Sequence, residues 1–200
     1  MTRRALISVY DKSGLGPLLT CLARHGFEMV ASGGTAQKIK ELGHWCVEVS
    51  AFTGYPESPH GLIKTLHPKI HGGFLLNAAD PDEKRYMVSQ GIVPFDLLVV
   101  NLYPFERVVK EKNVTLRQAA ENVDIGGPAM IRAAAKSALL NKSVIVLTNP
   151  DQYQNFIEEM EKNNGNIPEM MKIRFAKEAF ALTSRYDLAI EEYLSRLGES

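Results

Sequence analysis

Cysteine is scarce in this chain, whose 200 residues include two, Cys21 and Cys46. Both lie in apolar segments without metal-ligand spacing, which gives no sequence signal for a metal centre and fits a reducing cytoplasm. Charge of one sign is equally lacking: 23 basic residues face 23 acidic ones, for a formal net charge of zero. No block of Lys and Arg offers a footprint for a phosphodiester backbone, so no nucleic-acid partner is expected. A small anion remains a suitable ligand, because a few backbone N–H groups and one or two cations are enough to hold it. Long apolar runs are missing too. The longest, Phe95 to Tyr103, contains Asp96 and Asn101 and falls far short of the ~20 residues of a bilayer-spanning helix, so no membrane partner is expected. The Met-Thr-Arg-Arg start runs directly into a strand-like stretch and not into the apolar core of a secretory signal.

What is present is an α/β pattern. With 45% hydrophobic residues, the chain can bury one substantial core. Apolar β-rich runs at Ala5–Tyr10, Glu28–Ala31, Cys46–Val49, Leu97–Val100 and Ser143–Leu147 alternate with helical patterns. That alternation predicts a doubly wound, mostly parallel five-stranded sheet, each strand too continuously apolar to be half exposed. Helices are expected from about Leu15 to His25 and from Thr35 to Leu42. The Thr115-Leu-Arg-Gln118 capping box opens another through Val123. Asn149-Pro150 reads as N-cap and first helical residue of a helix to about Lys162. After a polar linker, apolar residues at helical spacing, Ile173, Ala176, Phe180, Tyr186, Ile190, Tyr193 and Leu197, continue the pattern. The expectation is a single domain over residues 1–200, an α/β core to residue 148 with C-terminal helices over 149–200. Periodicity leaves open whether those helices pack only on their own core or also form a subunit interface.

The chemistry is concentrated in loops punctuated by Gly and Pro. Ser32-Gly33-Gly34-Thr35 follows a strand and opens a helix, so it suits a phosphate, although a tight capped βα turn calls for the same residues. No Walker A sequence occurs, and Gly14-Leu-Gly16 fails the dinucleotide pattern at Leu19. His67 and His71 stand four apart, but Pro68 and Gly72-Gly73 argue against a helix, and no carboxylate or Cys completes a ligand set. They read as loop histidines that orient their neighbours. Lys64 lies in the same loop, Tyr103 lies just past the fourth strand, and Asp124 precedes a Gly126-Gly127 turn into a helix that carries Lys136. About three helical turns separate Asp124 from Lys136, so joint action requires a bend at Gly126-Gly127 or sites shared across a dimer.

Three segments, Lys64-Thr-Leu-His-Pro-Lys-Ile-His71, Asn101-Leu-Tyr103-Pro-Phe and Asp124-Ile-Gly-Gly-Pro through Lys136, resemble in order and spacing the inosinate (IMP) cyclohydrolase domain of purine synthesis. Ser8-Val-Tyr-Asp-Lys12, Ala31-Ser-Gly-Gly-Thr35, Phe52-Thr-Gly-Tyr-Pro-Glu57 and Tyr186-Asp187 extend the likeness over nearly the whole chain. The resemblance implies a methylglyoxal-synthase-like fold, a homodimer and no metal or organic cofactor. It also implies a reaction, the closure of 5-formamidoimidazole-4-carboxamide ribotide (formylated AICAR) to IMP. By matching motif it implies catalytic roles for Lys64, Tyr103, Asp124 and Lys136. Nucleotide contacts are implied at Tyr10, Asp11, Lys12, Ser32, Gly33, Gly34, Thr35, Leu62, Ile63, Thr65, Val100, Asn101, Ile125, Gly126 and Gly127.

The chain departs from the family pattern at three places: Tyr10 replaces a usual Ser, Leu62 a usual Arg, and Ser137 a common Asn. Leu62 removes a charge-assisted anion contact worth about 1.5–3 kcal/mol where it is made, with His60, Lys69 or a rearranged loop as candidate substitutes. Tyr10 and Leu62 favour a competing reading, a nucleotide-binding or regulatory module with weakened catalysis; retention of Lys64, Tyr103, Asp124 and Lys136 together favours the enzyme. Methylglyoxal synthase, of similar fold, matches less of the chain. The larger transformylase domain that usually follows is not in this sequence, so the formylated substrate is expected from elsewhere, with a separate transformylase as a candidate partner.

Overall fold

A computed structural model describes residues 2–58, 61, 63–111 and 113–198. Its centre is an all-parallel sheet of β1 (Arg3–Val9), β2 (Phe27–Ala31), β3 (Val47–Glu48), β4 (Leu97–Asn101) and β5 (Ile145–Leu147), in the spatial order β3-β2-β1-β4-β5. Around it lie α1 (Leu15–Arg24), α2 (Gly33–Glu41), α3 (Val49–Thr53), α4 (Pro68–Leu75), α5 (Pro81–Gln90), α6 (Phe105–Val108), α7 (Leu116–Glu121), α8 (Gly126–Leu140), α9 (Asp151–Lys162) and α10 (Glu169–Gly198). The continuous Leu/Val runs of β1, β4 and β5 are buried, as parallel strands covered on both faces require. From β1 the chain winds outward through β2 to β3, then returns to place β4 on the other side of β1. The β1/β4 junction is therefore the switch point, and a crevice opens beyond the carboxyl ends of those strands.

Three expectations need correction. β3 is a two-residue edge strand with Val47 half-buried and Glu48 exposed, because it pairs with β2 alone. The helix opened at Thr115 has its capping box but ends at Glu121, short of Val123. The segment after Lys64, read from its Pro and Gly as a loop, forms α4. Pro68 occupies the first helical position, where its missing N–H and fixed φ cost nothing, and the His67 Nδ1 caps the turn by accepting the Lys69 N–H at 3.1 Å. Gly72 and Gly73 belong inside this helix because of close packing. A Cβ on Gly73 would stand 2.7 Å from both the Phe95 ring and the Val93 carbonyl oxygen.

The last helix is longer than its apolar pattern, beginning at Glu169 and running 30 residues. Its first half packs on α8 and places Phe175, Ala176 and Ala179 in the main core. Burial of Phe175 alone contributes about 1.5–3 kcal/mol. Its second half brings Tyr186 against Phe105 and Ala119, a smaller core that holds α6 and α7 beside the crevice. No described helix is long and apolar enough to cross a membrane.

Candidate active site

At the carboxyl ends of β1, β2 and β4 lies a pocket of about 400 Å³. One wall is the turn from β2 into α2. Ser32 Oγ shares a 2.9 Å hydrogen bond with Ser8 Oγ, and Thr35 Oγ1 bridges the Val9 N–H and carbonyl at 3.1 Å each. These hydroxyls lock the turn to β1; the Thr35 and Ala36 N–H groups donate to the Ser32 carbonyl, leaving the Gly33 and Gly34 N–H groups at the positive end of the helix dipole. Ser32, Gly34 and Thr35 line the pocket, whereas Gly33, at φ +43, faces a smaller side cavity. The Lys64 Nζ would be 3.4 Å from a Cβ at Gly33, so this position keeps room for that ammonium.

The opposite wall is the segment between α7 and α8. Asp124 is held twice: its N–H donates to the Tyr186 hydroxyl at 2.8 Å, and its Oδ1 accepts the Gly127 N–H at 2.8 Å. Tyr186 in turn donates to the Asn122 carbonyl at 3.3 Å, so α10 pins this segment. Burial pushes the Asp124 carboxyl above the usual range, opposed by the Gly127 N–H and by the Lys64 charge. Gly126 and Gly127 permit the close approach, because a Cβ at Gly126 would strike Thr65 Oγ1 and one at Gly127 would stand 2.5 Å from Asp124 Oδ2.

Lys64 comes from the loop before α4 and lies 3.3 Å from the Glu57 carboxylate. Tyr103, half-exposed beyond β4, forms an aromatic pair with Tyr10, ring centroids 5.1 Å apart, at the pocket rim. The unusual Tyr10 thus builds a wall rather than leaving a gap. The Lys12 ammonium donates to the Val9 and Tyr10 carbonyls at 3.4 and 3.2 Å. Asn101 is a brace: its Oδ1 accepts the Tyr10 and Asp11 N–H groups and its Nδ2 donates to the Asp11 carbonyl.

The pocket therefore gathers Lys64, Tyr103 and Asp124 with Tyr10, Lys12, Ser32, Gly34, Thr35, Thr65, Val100, Asn101, Ile125, Gly126 and Gly127. It does not gather four others. Asp11 faces a larger neighbouring cleft, its carboxyl held low by hydrogen bonds from Ser13. Ile63 is exposed outside the lining, with its N–H on Ser58 Oγ. Gly33 opens on the smaller side cavity. Lys136 is exposed on α8, ten residues and about 15 Å along the helix from Gly126. Leu62 and His60 lie outside the described residues. Three contributors went unassigned in the sequence: Ser8, Glu57 and Tyr186. Each lies within a motif; Ser8 and Tyr186 have partners distant in sequence that no local spacing reveals, and Glu57 meets Lys64 across a loop whose fold has no periodic signal.

Residues 14–129 match the MGS-like domain family. The chain belongs to that family. The match takes in β2, β3 and β4 with the pocket residues Ser32, Lys64, Tyr103 and Asp124, and residues 134–200 match a second family, the AICARFT/IMPCHase bienzyme. The bifunctional purine biosynthesis protein PurH of Leptospira biflexa serovar Patoc is 46% identical over 197 residues, 98% of this chain and 38% of that protein. PurH of Prochlorococcus marinus strain MIT 9211 is 47% identical over 201 residues, covering 100% of this chain and 38% of the relative. The chain thus spans about 38% of the length of the curated relatives it matches. Among solved structures, that of ForH superposes with a TM-score of 0.83 at 30% identity, covering 97% of this chain and 100% of the other.

Proposed function

We propose that this MGS-like chain is an IMP cyclohydrolase, closing 5-formamidoimidazole-4-carboxamide ribotide to IMP with loss of water. The observation that carries the reading is the convergence of Lys64, Tyr103 and Asp124 on one pocket beside a phosphate-sized βα turn. Likeness to PurH proteins over 98% of the chain supports the same substrate class. In this reaction the carboxamide nitrogen attacks the formyl carbon of the same molecule, so the protein must hold a near-attack conformer and manage protons. The free N–H groups opening α2 anchor the 5′-phosphate. Asp124, raised by burial, orients the amide and accepts its proton, and the Lys64 ammonium and Tyr103 hydroxyl stabilise the oxyanion that develops on the formyl oxygen. The Gly127 N–H is committed to the Asp124 carboxylate, so it adds no donor to that oxyanion. Lys136 then delivers the proton with which hydroxide leaves as water. Its exposure on α8 supports delivery into the site of a partner copy, consistent with a cytoplasmic homodimer.

The test is the rise in purine ultraviolet absorbance when the purified chain meets the formylated ribotide. Turnover that falls by orders of magnitude in Lys136→Ala, with the fold intact, is the expected result. Recovery of activity on mixing Lys136→Ala with Lys64→Ala would follow from sites shared between copies. A wild-type chain that binds IMP by calorimetry without turning over would overturn the proposal.

A further inference from the structure

At the amino ends of the strands, away from the pocket, α1 ends beside α9. Cys21 and His25 stand one helical turn apart on α1, on the same face, and Glu161 reaches them from the last turn of α9. The Cys21 Sγ, a His25 ring nitrogen and a Glu161 carboxylate oxygen all lie within 4.8 Å of one another. Two of these groups lack the partners that buried polar atoms normally have. His25 Nε2 is shielded from solvent without a hydrogen bond, 3.7 Å from Glu161 Oε1. Cys21 is 2% exposed, and its thiol has no hydrogen-bond partner among the described residues, whereas the other cysteine, Cys46, donates to the Ala36 carbonyl. Gly165 makes room for the imidazole: at φ +86, a Cβ there would press within 3.0 Å of His25 Nδ1.

We propose that Cys21, His25 and Glu161 form a structural zinc site, with water in the fourth position. One thiolate, one imidazole and one carboxylate are the donor types that zinc accepts, and a small contraction from the present separations brings them to tetrahedral bonding distance. Glu161, with 40% of its side chain exposed, provides the entry path. Binding is balanced by proton release: the Cys21 thiol loses H⁺ to solvent as the sulfur–zinc bond forms. Arg24 competes for the metal, since its Nη1 holds Glu161 Oε1 at 2.7 Å. The local sequence masks the site because its third ligand lies 136 residues beyond His25. The metal ties α1 to α9 and takes no part in the pocket chemistry.

Cobalt(II), a coloured stand-in for zinc, tests this on the purified full chain freed of any affinity tag. The expected result is one equivalent bound with a thiolate-to-metal charge-transfer band that zinc bleaches and that Cys21→Ser abolishes. Because Cys21 is buried, the surface variants decide if that protein misfolds. Glu161→Gln weakens cobalt binding roughly tenfold or more, and Arg24→Ala strengthens it. Zinc also raises the melting temperature of the wild-type chain. Absence of the charge-transfer band in the wild type, or unchanged affinity in both surface variants, would overturn the site.

Discussion

Replacing Tyr186 by Phe removes a single oxygen and leaves the ring against Phe105, centroids 6.2 Å apart, so no cavity forms. Two hydrogen bonds disappear: the Asp124 N–H loses its acceptor and the Asn122 carbonyl its donor. Leaving such a group unsatisfied costs about 1–3 kcal/mol. For a chain of this size, that lowers the melting temperature by roughly 2–4 °C per kcal/mol. The catalytic consequence is larger than the thermal one, because the same hydroxyl fixes the backbone from which the Asp124 carboxyl projects. Turnover of the formylated ribotide is expected to fall at least about tenfold, through kcat more than KM. Tyr186 acts through Asp124, so in an Asp124→Asn background the same change should cost little further activity. Stopped-flow absorbance and denaturant melts on the four proteins of the cycle make the comparison. Equal losses of activity in both backgrounds, or a Tyr186→Phe chain as stable as the parent, would refute the reasoning.

Gly73→Ala should destabilise by about 1–3 kcal/mol despite the better helix propensity of Ala, because the new methyl meets the Phe95 ring and the Val93 carbonyl; a denaturation midpoint at or above the parent's would contradict this. Burial raises the Asp124 carboxyl above its ordinary value of 3.8, so the acid limb of kcat/KM should lie at higher pH than an ordinary aspartate would give. The linked stability has a definite sign. A raised native pKa favours folding at pH below 3.8, and that contribution disappears as pH rises through the native value. The stability of the parent relative to Asp124→Asn should therefore decline over that window, and urea melts showing the opposite slope would be inconsistent with burial as the cause.

Much of the fold could be read from the chain because strand and helix signals are local. Continuous Val/Ile/Leu runs marked β1, β2, β4 and β5, and Thr115 with Gln118 announced α7. What escaped was what tertiary contact decides. Gly72 and Gly73 discourage a helix in isolation, yet α4 needs both to approach Ile92, Val93 and Phe95. At the site, motif and Gly-rich turn singled out Lys64, Tyr103, Asp124, Ser32, Gly34 and Thr35, which the strand order brings to one pocket, whereas Gly33 of the same turn faces a side cavity. Tyr186 escaped because its hydroxyl meets residues more than 60 positions away. The helical pattern predicted only that its ring would be buried. Lys136 was placed correctly on α8, but neither the pattern nor a single copy of the fold brings it to the pocket.

The most direct measurement is the rate of purine absorbance gain from the formylated ribotide, compared among the parent chain, Lys64→Ala and Asp124→Asn under identical conditions. Convergence of the two side chains on one reacting centre predicts turnover by the parent and a loss of at least about 10²-fold in each variant, with IMP binding still measurable by calorimetry. A parent chain without turnover, or variants that cyclise the ribotide at the parent rate, would contradict the account.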